Sequence, residues 1–252
     1  MNRIALITGA TSGIGRATAK TLAENNFDII ITGRRKELLE DLAKEIKEKS
    51  TGKIHILNFD VRNKEEVDSA IDSLPKEWKD IDVLVNNAGL AVGLDHFNEG
   101  TVDDWERMID TNVKGLLYMS KKVVPVMVAK KHGHIINIGS TAGKEAYEKG
   151  NVYCGTKHAV DAITKGMRID LLQHKIKVTA INPGMVETEF SLVRFKGDQE
   201  KADKVYQGFT PLYGKDIADA ILYVVTRPEH VCINDMIITA TAQANSLYKV
   251  SE

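Results

Sequence analysis

The chain is poor in the residues that would mark several function classes. It holds two cysteines in 252 residues, Cys154 and Cys232, and no C-x-x-C pair. That is too few for a disulfide framework and predicts a reducing compartment, the cytoplasm by default. Aromatic residues make up only 6% and the formal net charge is -1. Such a balance supplies neither a stacking platform nor a basic field for nucleic acid, so no nucleic-acid partner is expected. No apolar run approaches the ~18 residues of a membrane span. The apolar part of "MNRIALITGA" is broken by Thr8 and Gly9 and is too short for a secretory leader. The seven histidines are scattered, and the close pair His132 and His134 has no acidic or cysteine neighbour, so no metal site is expected. There is no proline- or serine-rich linker, no charge block and no repeat of solenoid period, which predicts one domain over 1–252.

What is present alternates. Hydrophobic residues are 43% and charged residues 27%, ordinary for a chain with a substantial core. Short β-branched runs stand at 3–8, 27–32, 53–59, 81–86, 134–139, 177–182 and 232–239. Stretches with helical spacing lie between them, among them 36–49, with Leu38, Leu39, Leu42 and Ile46, and 155–174. Strand, helix and strand in turn predict an α/β fold, a parallel sheet with helices on both faces. Segment 184–213 has no regular core pattern and carries Gly184, Gly197, Gly208 and Pro211; long loops of this kind are lids or disordered, and a substrate lid is the expectation.

Between the first strand and the first helix lies "TGATSGIG", with Gly9, Thr11, Ser12, Gly13, Ile14 and Gly15. Glycines there permit a tight turn and close backbone approach, and the helix N-terminus presents N–H groups to an anion. The spacing is Gly-x-x-x-Gly-x-Gly, not G-x-G-x-x-G, so a plain glycine turn is the competing reading. The second strand ends in Gly33, Arg34 and Arg35, where a carboxylate would bind the ribose 2′-hydroxyl of NAD. Two arginines there favour a 2′-phosphate, hence NADP; a solvated helix start is the alternative. After the third strand come Asp60 and Val61, with Asp60 a candidate acceptor for the adenine amino group. Asn86, Asn87, Ala88 and Gly89 follow the fourth as a polar turn against the cofactor, or as a structural turn.

"YCGTK" places Tyr153 and Lys157 four positions apart, on one face of a helix. An ammonium beside a phenol favours the phenolate, which would tune a proton donor and acceptor. Taken with "TGATSGIG", "NNAG" (86–89), Asn112, Ser140 and "NPG" (182–184), in this order and spacing, the chain resembles the short-chain dehydrogenase/reductase family over essentially its whole length. "RRKELLEDL", "LPKEWKDIDVLVNNAGLAVG", "HGHIINIGSTAG" and "EFSLVRFKGD" are similar to its branch of NADP-dependent 3-hydroxy acid dehydrogenases, acting on serine and small 3-oxo acids such as malonic semialdehyde. The departures are "KEAY" after "STAG" and Thr156 before the lysine; the first leaves the substrate pocket open.

The resemblance implies a doubly wound Rossmann-type fold, a seven-stranded parallel sheet of order 3-2-1-4-5-6-7, and hydride transfer between a nicotinamide and a carbonyl or alcohol. It implies that Tyr153 exchanges the substrate proton, that Lys157 lowers the proton affinity of Tyr153 and holds the nicotinamide ribose, and that Ser140 hydrogen-bonds the reacting oxygen. It gives Asn112 a water linking Lys157 to solvent, and lays Pro183, Gly184, Val186 and Thr188 along the nicotinamide. The family is commonly tetrameric, so a homotetramer is expected. A carboxylate substrate demands a cation, and the lid supplies Arg194, with Tyr147 as a second donor; a snorkelling Arg194, or one paired with a protein acid, is the competing reading. A 3-oxoacyl thioester reductase or a broad carbonyl reductase is the alternative activity.

Overall fold

The apolar runs are the strands of one sheet. A computed structural model describes residues 2–251. Strand β1 (Arg3–Ile7) leads to α1 (Gly13–Glu24), β2 (Phe27–Gly33), α2 (Lys36–Lys49), β3 (Ile54–Asn58) and α3 (Lys64–Asp72). The second half follows as β4 (Ile81–Asn86), α4 (Val102–Ile109), α5 (Leu116–Lys130), β5 (Gly133–Ile138), α6 (Asn151–Asp170) and β6 (Ile176–Pro183). Then come β7 (Val186–Glu187), α7 (Phe190–Arg194), α8 (Gln199–Lys204), β8 (Leu212–Tyr213), α9 (Gly214–Val225) and β9 (Asp235–Ile238). The main sheet is parallel with order β3-β2-β1-β4-β5-β6-β9. The expected order holds, its seventh strand being β9 because β7 and β8 pair separately.

The strands alternate between two cores, as the period of two requires. Ala5, Ile7, Ile29, Ile31, Val83 and Val85 meet Leu22, Leu39, Leu42, Ile217 and Ile221, so α1, α2 and α9 cover one face. Ile4, Leu6, Ile30, Leu84 and Ile135 meet Val67, Met119, Val123 and Met127 on the other, under α3 and α5. Each such valine, leucine, isoleucine or methionine contributes about 1.5–3 kcal/mol by leaving water. No helix among the described residues is long and apolar enough to cross a membrane.

The expected helix at 155–174 begins a turn earlier and stops at Asp170, where a short 3₁₀ turn and a left-handed Lys175 (φ 57°) break it. The last strand is shorter than 232–239, only Asp235–Ile238 pairing with β6. Segment 184–213 is ordered into β7, α7, α8 and β8. Tyr206 ties it together, donating its hydroxyl proton to the Val186 carbonyl (3.0 Å) and meeting the Ser191 hydroxyl (2.7 Å).

Candidate active site

The chain direction across the sheet reverses between β1 and β4, and open α/β sheets bind ligands at such a point, beyond the strands' carboxyl ends. A cleft of about 400 Å³ opens there, floored by the turns after β1, β4 and β5 and walled by residues 183–193. Gly9 (φ 65°) and Gly13 (φ 53°) are left-handed. A Cβ on Gly9 would lie 2.9 Å from the Ala88 Cα, and one on Gly13 3.1 Å from the Thr188 side chain. Ser12 caps α1 without a side-chain hydrogen bond, and no acid stands in the first turn, so the leading N–H groups suit an anion. Asn87 serves the turn itself, its Nδ2 donating to the Thr8 (2.8 Å) and Gly9 (3.2 Å) carbonyls. These residues fit a dinucleotide diphosphate.

At the far end Arg34 is exposed and lies 3.7 Å from Asp60, a loose contact that leaves its guanidinium available to a 2′-phosphate. Arg35 is held differently. It donates to Thr11 Oγ1 (2.8 Å), Ser12 Oγ (3.0 Å) and Glu189 Oε2 (2.9 Å), reaching across the cleft mouth. Asp60 accepts from Arg62 through both carboxylate oxygens, at 3.1 and 2.9 Å from Nε. Burial raises the Asp60 pKa, but these bonds hold it below the usual carboxylate range.

Tyr153 and Lys157 share the buried face of α6, as their spacing requires. The Lys157 Nζ lies 6.0 Å from the Tyr153 ring centre and donates to the Ile138 carbonyl (2.9 Å). Burial lowers its pKa from 10.5 to about 8. Burial also pushes the Tyr153 phenol well above its ordinary value; a hydrogen bond with Ser140 and the charge of Arg194 oppose that shift. Two cations therefore stand near the phenol: Lys157, on the same helix face, and Arg194, from segment 184–213, whose charge opposes the rise. Ser140 accepts from the Ala142 amide (3.1 Å) just past β5. Asn112 sits in a π turn, Asp110–Gly115, between α4 and α5. Its Oδ1 accepts from the Leu90 amide (2.8 Å), and its Nδ2 donates to the Leu90 carbonyl (2.8 Å) and Thr156 Oγ1 (3.0 Å). It clamps the turn after β4 to α6, and its side chain is filled by protein partners.

Segment 184–213 brings Arg194 to the site. Its guanidinium lies 5.4 Å from the Tyr153 ring centre and donates to the Tyr147 hydroxyl at 2.5 Å. Its Nε is buried without a partner, and among the described residues it makes no ion pair. The residues nominated from sequence line the cleft except Gly15, Asn86, Asn112, Tyr147 and Arg194; Asn86 is buried at the end of β4, where it donates to Ser120 (3.0 Å) and Asn137 (2.9 Å). Gly15 packs under Asn87, where a Cβ would meet the Asn87 Nδ2 at 2.4 Å. Sequence reasoning missed Glu189, Phe190, Arg107 and Thr111, which also line the cleft. Phe190 packs edge-on to Tyr153, centroids 5.6 Å apart. Nothing periodic in 184–213 marks it; the only signal was the apolar run around Arg194.

A family model described as short chain dehydrogenase matches residues 3–198. The NADP-dependent 3-hydroxy acid dehydrogenase of Salmonella typhi is 48% identical over 242 residues, covering 96% of this chain and 96% of the relative. One of that name from Schizosaccharomyces pombe is 44% identical over 247 residues, 97% of this chain and 95% of its own. The closed form of a serine dehydrogenase complexed with NADP+ superposes with a TM-score of 0.93 at 45% identity, covering 99% of both chains.

Proposed function

The chain belongs to the short-chain dehydrogenase family, and from that premise we propose that it transfers a hydride between NADP and a small 3-hydroxy acid, serine-like or 3-hydroxypropanoate-like, with its 3-oxo acid as the other partner of the couple. The observation that carries the substrate class is the Arg194 guanidinium stacked over Tyr153, bonded to Tyr147 and without an acidic partner among the described residues. A carboxylate two carbons from the reacting oxygen supplies the missing charge.

NADP, when bound, accepts or returns the hydride. The glycine loop and the α1 N-terminus hold its diphosphate, and Arg34 with Arg35 select its 2′-phosphate. Val61, Ala88 and Gly89 line the adenosine and ribose side of the cleft, and Pro183 to Thr188 the nicotinamide side. Lys157 holds the ribose hydroxyls. In oxidation the substrate hydroxyl sits between Ser140 and Tyr153. Ser140 fixes the oxygen by a hydrogen bond, and Tyr153 as phenolate takes the proton. Arg194 does two things at once: it binds the acid and lowers the proton affinity of the phenol beneath it. Asn112 keeps the Leu90 turn and α6 in register, and Phe190 and Val193 exclude water above the ring. The chain acts as one domain with 184–213 as its lid. The exposed apolar side chains of α6, Ile169 and the following Leu172, support a homotetramer, and the free thiols of Cys154 and Cys232 support a cytoplasmic setting.

The test is a rate panel of 3-hydroxy acids, 2-hydroxy acids, neutral alcohols and 3-oxoacyl thioesters with NADP and NAD. Preference for 3-hydroxy acids with NADP is expected; preference for thioesters would transfer the chain to the acyl reductases.

A further inference from the structure

The lid helix α7 ends two residues before Lys196, which is left-handed (φ 54°) and is followed by Gly197 at φ 93°. The Gly197 amide closes the turn onto the Leu192 carbonyl (2.9 Å). The Lys196 amide bonds the Val193 carbonyl (3.1 Å), so the helix ends in a closed turn that presents the lysine side chain outside the lid. The partner is Asp104, in the first turn of α4. Its carboxylate is buried, 9% exposed at the side chain, and meets the Lys196 ammonium at 2.7 Å. Arg107 stands 4.0 Å away on the same helix. Burial alone raises the Asp104 pKa, but the bonds from Lys196 and Thr101 hold it below the usual range, so it is charged.

The same point anchors a third segment. The Gly93 amide donates to the Arg194 carbonyl (3.0 Å), and a Cβ on left-handed Gly93 would lie 3.3 Å from the Asp104 carboxylate. The loop after β4, the start of α4 and the end of the lid therefore meet at one buried charge. Arg194 is fixed there at its backbone while its guanidinium extends the other way, over Tyr153. Asp104 does not line the cleft.

We propose that Asp104 is a positioning residue for acid recognition: through Lys196 and beside Gly93 it pins the end of the lid helix, and so sets where the Arg194 guanidinium meets the substrate carboxylate. The inference rests on Arg194 reading the acid, and deepens that reading by assigning the group that aims it. The consequence is selective. Loosening the pin costs substrate acids through KM, because the guanidinium spends less time in place. Neutral alcohols, which do not use it, lose little.

Lys196 is more than half exposed, so Lys196→Met folds where a change at buried Asp104 need not, and Lys196→Arg keeps the charge. With 3-hydroxypropanoate, Lys196→Met raises KM three- to tenfold with kcat within twofold. A neutral alcohol of similar size stays within twofold, and Lys196→Arg restores the acid KM. Lys196→Met added to Arg194→Met has no further effect on the acid. Independently of turnover, hydrogen exchange at the Gly93 and Gly197 amides quickens in Lys196→Met protein without cofactor. Acid selectivity lost in Arg194→Met but kept in Lys196→Met, with unchanged exchange, overturns the pin alone. Acid selectivity kept in Arg194→Met overturns the reading beneath it as well.

Discussion

At Tyr153 two opposing effects decide the chemistry. Burial disfavours the phenolate, and Ser140 and Arg194 oppose it. Removing the phenolic oxygen keeps the ring against Phe190, so Tyr153→Phe lowers kcat by at least ~10²-fold while the NADP dissociation constant barely moves; near-normal turnover would refute the proton role. Lys157 makes a stability prediction. Its folded pKa, about 8, lies below the ordinary 10.5, so between those values the unfolded chain binds more protons and stability rises with pH. Below pH 8 the buried charge is a full cost. Lys157→Met is therefore inactive but, free of cofactor, more stable than wild type at pH 7 by roughly 1–3 kcal/mol, and the gap narrows towards pH 10. Urea unfolding at the two pH values measures it; a variant less stable at pH 7 would contradict the sign. Arg34→Ala raises KM for NADP far more than for NAD, and equal losses with both would remove the 2′-phosphate assignment.

Among the elements, the glycine turn and segment 184–213 carry the testable geometry. Gly9→Ala asks a side chain to adopt φ 65° with its Cβ 2.9 Å from the Ala88 backbone. The variant loses about 1–3 kcal/mol and most NADP affinity together, because the turn after β1 and the turn after β4 are pressed against each other; calorimetry with and without NADP reads both. Tyr153 and Lys157 were legible because a helix fixes which residues share a face. Arg34 and Arg35 were legible as a pair at a strand end, but not their division of labour. Arg35 is drawn to Glu189, far away in sequence, and no local pattern announces that. The side chain of Asn112 is a clamp that sequence did not announce, because the turn after β4 offers it both a donor and an acceptor at Leu90.

For the whole molecule, the buried His134 adds its own part to acid sensitivity. It lies in β5, its ring nitrogen bonded to Thr179 Oγ1 (2.8 Å), and burial lowers its pKa from 6.5 to about 3. Below pH 6.5 the unfolded chain takes up a proton that the folded chain refuses, so stability falls by about 1.4 kcal/mol per pH unit. His134→Gln removes that slope between pH 6 and 4; an unchanged slope in urea titrations would place the acid sensitivity elsewhere. The assembly proposed above has its own check: a fully active sample that stays monomeric in sedimentation at low concentration would reject it.

While the strand order came with the family resemblance, the sequence by itself determined the fold class, the glycine turn and arginine pair of the cofactor end, and the shared helix face of Tyr153 and Lys157. Those features rest on short-range rules: a period of two or 3.6, a glycine where the backbone must turn, a strand end without its carboxylate. Tertiary structure alone decided what lies over Tyr153. Tyr147, the helix Phe190–Arg194 and Asp104 come from three separate stretches, and 184–213 has no period because its residues pack on other segments rather than on one another's repeats. Contacts between distant stretches leave no spacing to read, so Arg194 and Tyr147 were legible only as candidate donors, and their meeting beside Tyr153 appeared with the fold.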